Sequence, residues 1–66
     1  MRITANGEAH DLPATRTVAE FIRDRGLDPR FVIVERNGEP LERARYDLVN
    51  LEDGDRIELV RAVAGG

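Results

Sequence analysis

Asn6-Gly7 and Asn37-Gly38 constrain the fold more than any other feature of this chain. Asn-Gly supplies the positive φ angles of a tight two-residue turn whose twist suits the strands it joins. Before the first pair, Met1, Ile3 and Ala5 alternate with Arg2 and Thr4, the period of a half-buried strand. Glu8 to Leu12 returns antiparallel until Pro13 ends the ladder. Before the second pair, Phe31-Val32-Ile33-Val34-Glu35 is β-branched and aromatic and apolar on both faces, the pattern of a strand inside a sheet. After it, Glu39-Pro40-Leu41 can form only a short edge strand, because Pro donates no ladder bond.

Between the hairpins lies one helix. Thr17 and Glu20 form a capping box, in which hydroxyl and carboxylate each satisfy a backbone N–H at the open helix end. Val18, Phe21 and Ile22 fall on one stripe, with Glu20, Arg23 and Asp24 facing outward. Gly26 stands where a left-handed residue closes the helix, and Leu27 and Pro29 fit an exit that cannot continue it. Residues 42 to 51 form an irregular or single-turn segment that places Tyr46, Leu48, Val49 and Leu51 over the open end of the core. Asp53-Gly54-Asp55 is a turn, its carboxylates shaping the bend and falling far short of a calcium loop. Arg56 to Val63 is the last strand, with Ile57 and Leu59 pointing one way and Val60 and Ala62 the other.

This order gives an α+β roll with one helix covering one face of the sheet. The helix stripe is covered economically if the first and last strands lie side by side in the centre, in a parallel pairing whose long crossover the middle of the chain supplies. The opposite face is then open. It carries Val60 and Ala62, as ordinary scattered apolar surface or as a docking patch. Residues 1–63 read as the domain and residues 64–66 as a flexible tail.

The inventory narrows the chemistry. With 66 residues the chain is one domain, of a size that buries only about 60% of the unfolded surface. It has no Cys, Ser or Lys, and His10 is its only His, so nucleophilic triads, thiol chemistry and a Cys/His zinc site are excluded. His10 reads as a surface strand residue. No apolar stretch approaches the roughly 18 residues of a membrane span, and Met1-Arg2-Ile3-Thr4 opens a strand, not a signal peptide. A soluble, monomeric chain in a reducing cytoplasm is expected, without a membrane partner. Its 13 acidic and 10 basic side chains, net −3, are interspersed, unlike the concentrated positive face of a nucleic-acid binder. All 10 basic residues are Arg. Genomic base composition accounts for that, and a chain with an activated carboxyl terminus also gains by carrying no Lys amine to acylate itself.

The sequence ends in Ala64-Gly65-Gly66. Glycines lack a Cβ and can enter a channel too narrow for side chains, which makes the terminal carboxylate reachable by a partner's active site, although many chains simply end in small frayed residues. Asn37-Gly38-Glu39-Pro40, and Asp53-Gly54-Asp55-Arg56-Ile57-Glu58 running into Val60-Arg61-Ala62-Val63-Ala64-Gly65-Gly66, resemble the ThiS family over essentially the whole chain. These are the ubiquitin-like β-grasp sulfur carriers of thiamine biosynthesis. The resemblance implies a mixed four- to five-stranded sheet with one helix on one face. It implies a carrier that is not itself an enzyme and binds no cofactor of its own. In such a cycle the Gly66 carboxylate is adenylated with ATP and Mg by a ubiquitin-activating-like adenylyltransferase, ThiF. It then becomes a thiocarboxylate with sulfur from a donor such as a cysteine desulfurase, and delivers sulfur to thiazole synthase, ThiG. Gly65, Ala64, Val63 and Ala62 correspond to the tail that threads into the partner, and Val60 to the docking face. Arg61 interrupts the inward alternation 57/59/61/63 and so stands at the rim where the strand leaves the sheet, either docking on an acidic group of the partner or simply solvated. Three alternatives stay open: a sulfur carrier for another product, such as the molybdenum cofactor or cysteine, a ubiquitin-like protein modifier, and a non-reactive β-grasp interaction module.

Overall fold

Both Asn-Gly pairs close hairpins. In the computed structural model, which describes residues 1–62, strand β1 (Arg2–Ala5) pairs antiparallel with β2 (Glu8–Asp11), and β3 (Val32–Arg36) with β4 (Glu39–Leu41). The last strand, β5 (Arg56–Arg61), runs parallel to β1 and antiparallel to β3, so the sheet order is β2-β1-β5-β3-β4. This is the expected five-stranded mixed β-grasp sheet with β1 and β5 side by side. The strand stops at Arg61, short of the expected end at Val63, although the Ala62 N–H still donates to the Phe31 carbonyl at 2.7 Å. Val63, and with it the boundary between domain and tail, lies outside the described residues.

Helix α1 (Val18–Asp24) forms where its signals put it, and tertiary contacts complete both ends. Thr17 and Glu20 make the reciprocal capping box, at 3.0 and 2.8 Å. The Val18 and Ala19 N–H groups, which have no partner inside the helix, donate to the carbonyls of Val49 and Tyr46, both at 2.9 Å. The 42–51 segment therefore caps the helix as well as the core. At the other end Gly26 takes φ +77°, and the Leu27 and Gly26 N–H groups bond back to the Ile22 and Arg23 carbonyls, closing a Schellman motif.

The core lies between α1 and the inner face of the sheet. Val18, Phe21 and Ile22 meet Ile3, Val32, Val34 and Ile57, and Ala19, which the stripe did not include, is buried with them. Tyr46 and Leu51 close the open end, and Val49 packs partly against it, but Leu48 is exposed. The segment turns through the 3₁₀ turn Arg43–Arg45, which brings positions three apart, such as Tyr46 and Val49, to one side and leaves Leu48 on the other. Phe31, expected as the first residue of its strand, instead ends a 3₁₀ turn, Pro29–Phe31, capped by the Asp28 carboxylate. His10, expected on the surface, is half-buried. It lies opposite Ile3 on the inner side of the sheet, with its ring edge-on to Phe21 at 5.7 Å.

β5 is held on both edges by more than strand pairing. Asn6 (φ 50°) accepts from the Leu59 N–H at 2.8 Å and donates to the Leu59 carbonyl at 3.2 Å. Asn37 (φ 53°) accepts from the Arg56 N–H at 2.8 Å and donates to Asp55 at 3.0 Å. Asp55 is the buried charged residue among those described, and Arg36 and the Glu52 N–H also donate to it, at 3.0 and 2.8 Å. The Asp53 carboxylate takes the Arg2 N–H at 2.7 Å. The two aspartates shape and anchor a turn, as their spacing suggested.

Two expected outcomes follow from these contacts. The Tyr46 hydroxyl donates to the Val32 carbonyl at 2.8 Å inside the protein. Consecutive strand carbonyls point to opposite sides, and that of Phe31 faces β5, so the Val32 carbonyl faces away from β5 at a point β4 does not reach. Tyr46→Phe leaves it buried without a donor and should cost about 1–2 kcal/mol, read by urea unfolding with an unchanged m-value. The Asp55 carboxyl is pushed up by burial, but the donors from Asn37, the Glu52 N–H and Arg36 outweigh this and hold it below its ordinary value. A depressed folded-state pKa contributes stability above the unfolded value near 4, and that stability is lost as pH falls through the folded value. Asp55→Asn should therefore be less stable than the parent near pH 7, and its unfolding free energy should fall less between about pH 5 and pH 2. An equally steep acid profile in the variant would remove Asp55 as its source.

Candidate functional site

The sequence points to the end of β5, which the structure places at the centre of the sheet. Val60 is on the outer face at 57% exposure, directly opposite Ile33 of β3, itself 51% exposed. Phe31, just before β3, is also exposed and lies at the sheet's rim, with the Arg30 guanidinium 5.3 Å from its ring centre. Ile33 and Val60 thus form one exposed apolar strip across β3 and β5. The pattern of a strand apolar on both faces reflects this strip and not burial on two sides: Val32 and Val34 are fully buried beneath the helix while Ile33 meets solvent.

Arg61 closes β5 opposite Val32, on the inner side but beyond the end of the core, so its side chain is exposed at the rim. A groove of about 450 Å³ opens there, between the helix exit at Gly26 and Leu27 and the strand ends at Phe31, Arg61 and Ala62. Asp28, on its wall, forms a two-pronged ion pair with Arg30, whose hydrogen bond holds the carboxyl below its ordinary range. Ala62 is half-buried at the mouth of the groove. The expected threading positions Val63, Ala64 and Gly65, and the expected modified residue Gly66, lie outside the described residues.

No set of three or more His, Asp or Glu side chains converges to hold a metal among the described residues. His10 is committed to packing on Phe21. What the described surface offers is exposed apolar area on the strand that precedes the diglycine. Sequence reasoning named Val60 but missed Ile33 as its neighbour. The available signal was the second apolar face of β3, which a helix on one side of the sheet could not have covered. No helix among the described residues is long and apolar enough to cross a membrane.

The sequence model of the ThiS family matches residues 1–66. The chain is 42% identical over 52 residues to the sulfur carrier protein ThiS of Bacillus subtilis, spanning 79% of each. It is 38% identical over 66 residues to a thiazole synthase of Paramagnetospirillum magneticum, covering all of this chain but only 20% of that protein. The crystal structure of a thiamine biosynthesis protein (ThiS) from Geobacter metallireducens superposes with a TM-score of 0.83 at 32% identity, over the whole of both chains. With its full length inside the family pattern and its β-grasp sheet reproduced in a solved relative, this chain belongs to the ThiS family.

Proposed function

We propose that the chain carries sulfur for thiazole formation, holding it at the carboxylate of Gly66. The observation that supports this most directly is family membership across the whole chain, in a molecule whose central strand leads from an exposed apolar strip toward Gly65-Gly66. A carboxylate is a poor electrophile. Attack of its oxygen on the α-phosphate of ATP expels pyrophosphate and gives an acyl adenylate, and a sulfur nucleophile then displaces AMP to leave a thiocarboxylate. A Cys-free chain has no thiol on which to hold that sulfur, so the terminus bears it.

In this reading the catalytic groups belong to partners. A ubiquitin-activating-like adenylyltransferase supplies the ATP and Mg chemistry, a donor such as a cysteine desulfurase supplies sulfur, and a thiazole synthase accepts it. The match to one-fifth of a thiazole synthase supports the last of these, since a domain of this kind then shares a polypeptide with the acceptor enzyme. Val60 docks, Ala62 to Gly65 thread into the partner, and Arg61 stands at the rim. The chain is a co-substrate of the enzymes that load and unload it.

Intact-mass measurement after incubation with ATP, Mg, the activating enzyme and a sulfur donor should show one oxygen replaced by sulfur, with fragmentation placing the change on Gly66. Removing Gly65 and Gly66 should abolish it without changing the unfolding temperature. An unmodified mass with all components present would leave the chain a non-reactive interaction module. Val60→Asp should keep stability within about 0.5 kcal/mol, as befits an exposed site. It should slow loading or unloading at least about tenfold, or about 1.4 kcal/mol.

A further inference from the structure

Next to the Ile33–Val60 pair, on the same outer face, β3 and β5 bring Glu35 and Glu58 directly opposite each other. The Ala62 and Asn37 N–H bonds to Phe31 and Arg56 set the pattern of this ladder, so residues 35 and 58 form a hydrogen-bonded pair with Cα atoms about 5.5 Å apart. Like charges placed squarely opposite destabilise a sheet. No ion pair among the described residues relieves the repulsion, although Arg56 lines a shallow groove with both carboxylates. Glu35 has Pro40 as its other cross-strand neighbour, and beyond Glu58 on the far side the β1–β2 turn begins with Asn6, whose amide is taken by Leu59. Neither carboxylate joins an ion pair among the described residues. Arg56, two residues along β5 on the same face, pairs with neither.

The contrast with the rest of the surface is informative. Arg2 pairs with Asp11, Arg16 with Asp24, Arg30 with Asp28 and Arg36 with Asp55, while Glu8, Glu39, Glu42 and Asp53 share with Glu35 and Glu58 the lack of an ion pair among the described residues; of these, Glu35 and Glu58 stand directly opposite each other across a ladder. The unneutralised pair adjoins the exposed apolar strip, and a shallow groove of about 250 Å³ is lined by Ile33, Glu35, Glu58 and Val60 together. An apolar anchor beside two adjacent, unneutralised carboxylates is complementary to a basic side chain flanked by apolar ones.

We infer that Glu35 and Glu58 together form a receptor for one arginine or lysine side chain of the thiazole synthase, which docks its apolar surroundings on Ile33 and Val60. The synthase is chosen because a domain of this kind occurs within proteins of that name, and the inference rests on the sulfur-carrier reading. A partner guanidinium or ammonium ion inserted between the carboxylates converts the repulsion into two charge-assisted bonds, which gives the interface register as well as strength. The repulsion is borne by the free carrier and relieved only in the complex.

The test reads folding and binding in the same variants. Glu35→Gln and Glu58→Gln should each raise the Tm by about 2–5 °C through relief of repulsion. Each should weaken binding to the cognate thiazole synthase about tenfold in titration calorimetry, with a smaller loss of affinity as salt is raised. Glu58→Arg places an opposite charge against Glu35 and should stabilise the fold further while weakening binding by more than either neutral variant. A raised Tm with unchanged affinity for the synthase would overturn the inference, as would weakened binding to the activating enzyme alone. Sulfur loading of the wild-type chain, read by intact mass with saturating activating enzyme, keeps the two readings apart. If the wild-type chain loads but the variants bind the synthase normally, the receptor falls and the carrier stands; if it never loads, the carrier reading falls first and the inference with it.

Discussion

The amide side chains of Asn6 and Asn37 hold β5 where the neighbouring strands run out. β1 ends at Ala5 and β3 at Arg36, and at each end the turn residue continues the ladder with its own side chain. Asn6 gives Leu59 both an acceptor and a donor, as a peptide group would. Asn37 takes the Arg56 N–H on its side-chain oxygen while its main-chain N–H donates to the Arg56 carbonyl. The same residues sit at positive φ, which asparagine tolerates better than most side chains. Glycine would keep each turn but lose the clamp, and aspartate could accept the Leu59 N–H but not donate to its carbonyl. Asn37 and Arg36 then converge on Asp55, so turn, strand pairing and the buried charge form one connected unit around the root of β5. Most other ion pairs are solvated and weigh little in stability, whereas this one is backed by a backbone N–H and an amide.

That unit fixes which strand is central, and the single helix fixes which face is dry. Val18, Phe21 and Ile22 can cover only one side of the sheet, so stability derives from the inner residues Ile3, Val32, Val34 and Ile57. The outer face contributes little to the core and is correspondingly free to carry features that folding alone would not favour. Ile33 and Val60 expose apolar surface there, and Glu35 and Glu58 face each other with no ion pair to either among the described residues. A sequence under selection for stability alone would place opposite charges or threonines at such a pair. Both departures from local consistency lie on one face, the one on which we propose that partners dock.

Much of this was legible in the sequence because it rests on local rules. The Asn-Gly turns, the Thr17–Glu20 box and Gly26 act over a few residues, and the structure keeps each of them. The misreadings have a common cause in tertiary placement. His10 looked like a surface residue because a lone polar side chain on an edge strand gives no sign of its face; pairing with Ile3 turned it toward Phe21. Leu48 looked like core because apolarity, not the phase of a single 3₁₀ turn, was all that the 42–51 segment offered. The two apolar faces of β3 marked an interior strand, which it is, but not that one helix would leave the Ile33 face open. The opposition of Glu35 and Glu58 was invisible altogether, because cross-strand register depends on how β3 and β5 meet across residues far apart in the chain.

Placing the strip on the two central strands also sets a length. Edge strands fray and twist, but β5 is bonded along both sides, so Val60 is fixed relative to the core. From Val60 to Gly66 is six residues, which in full extension reach at most about 20 Å. An enzyme that grips the strip and acts on the Gly66 carboxylate must therefore hold its reacting centre within that radius of its docking surface. The small residues at Ala62, Ala64, Gly65 and Gly66 let the connecting segment pass through a narrow opening on the way. Ordering such a segment costs backbone entropy that its few side chains cannot offset. If the proposed docking holds, the apolar strip supplies the difference, which gives a physical reason for exposed Ile33 and Val60.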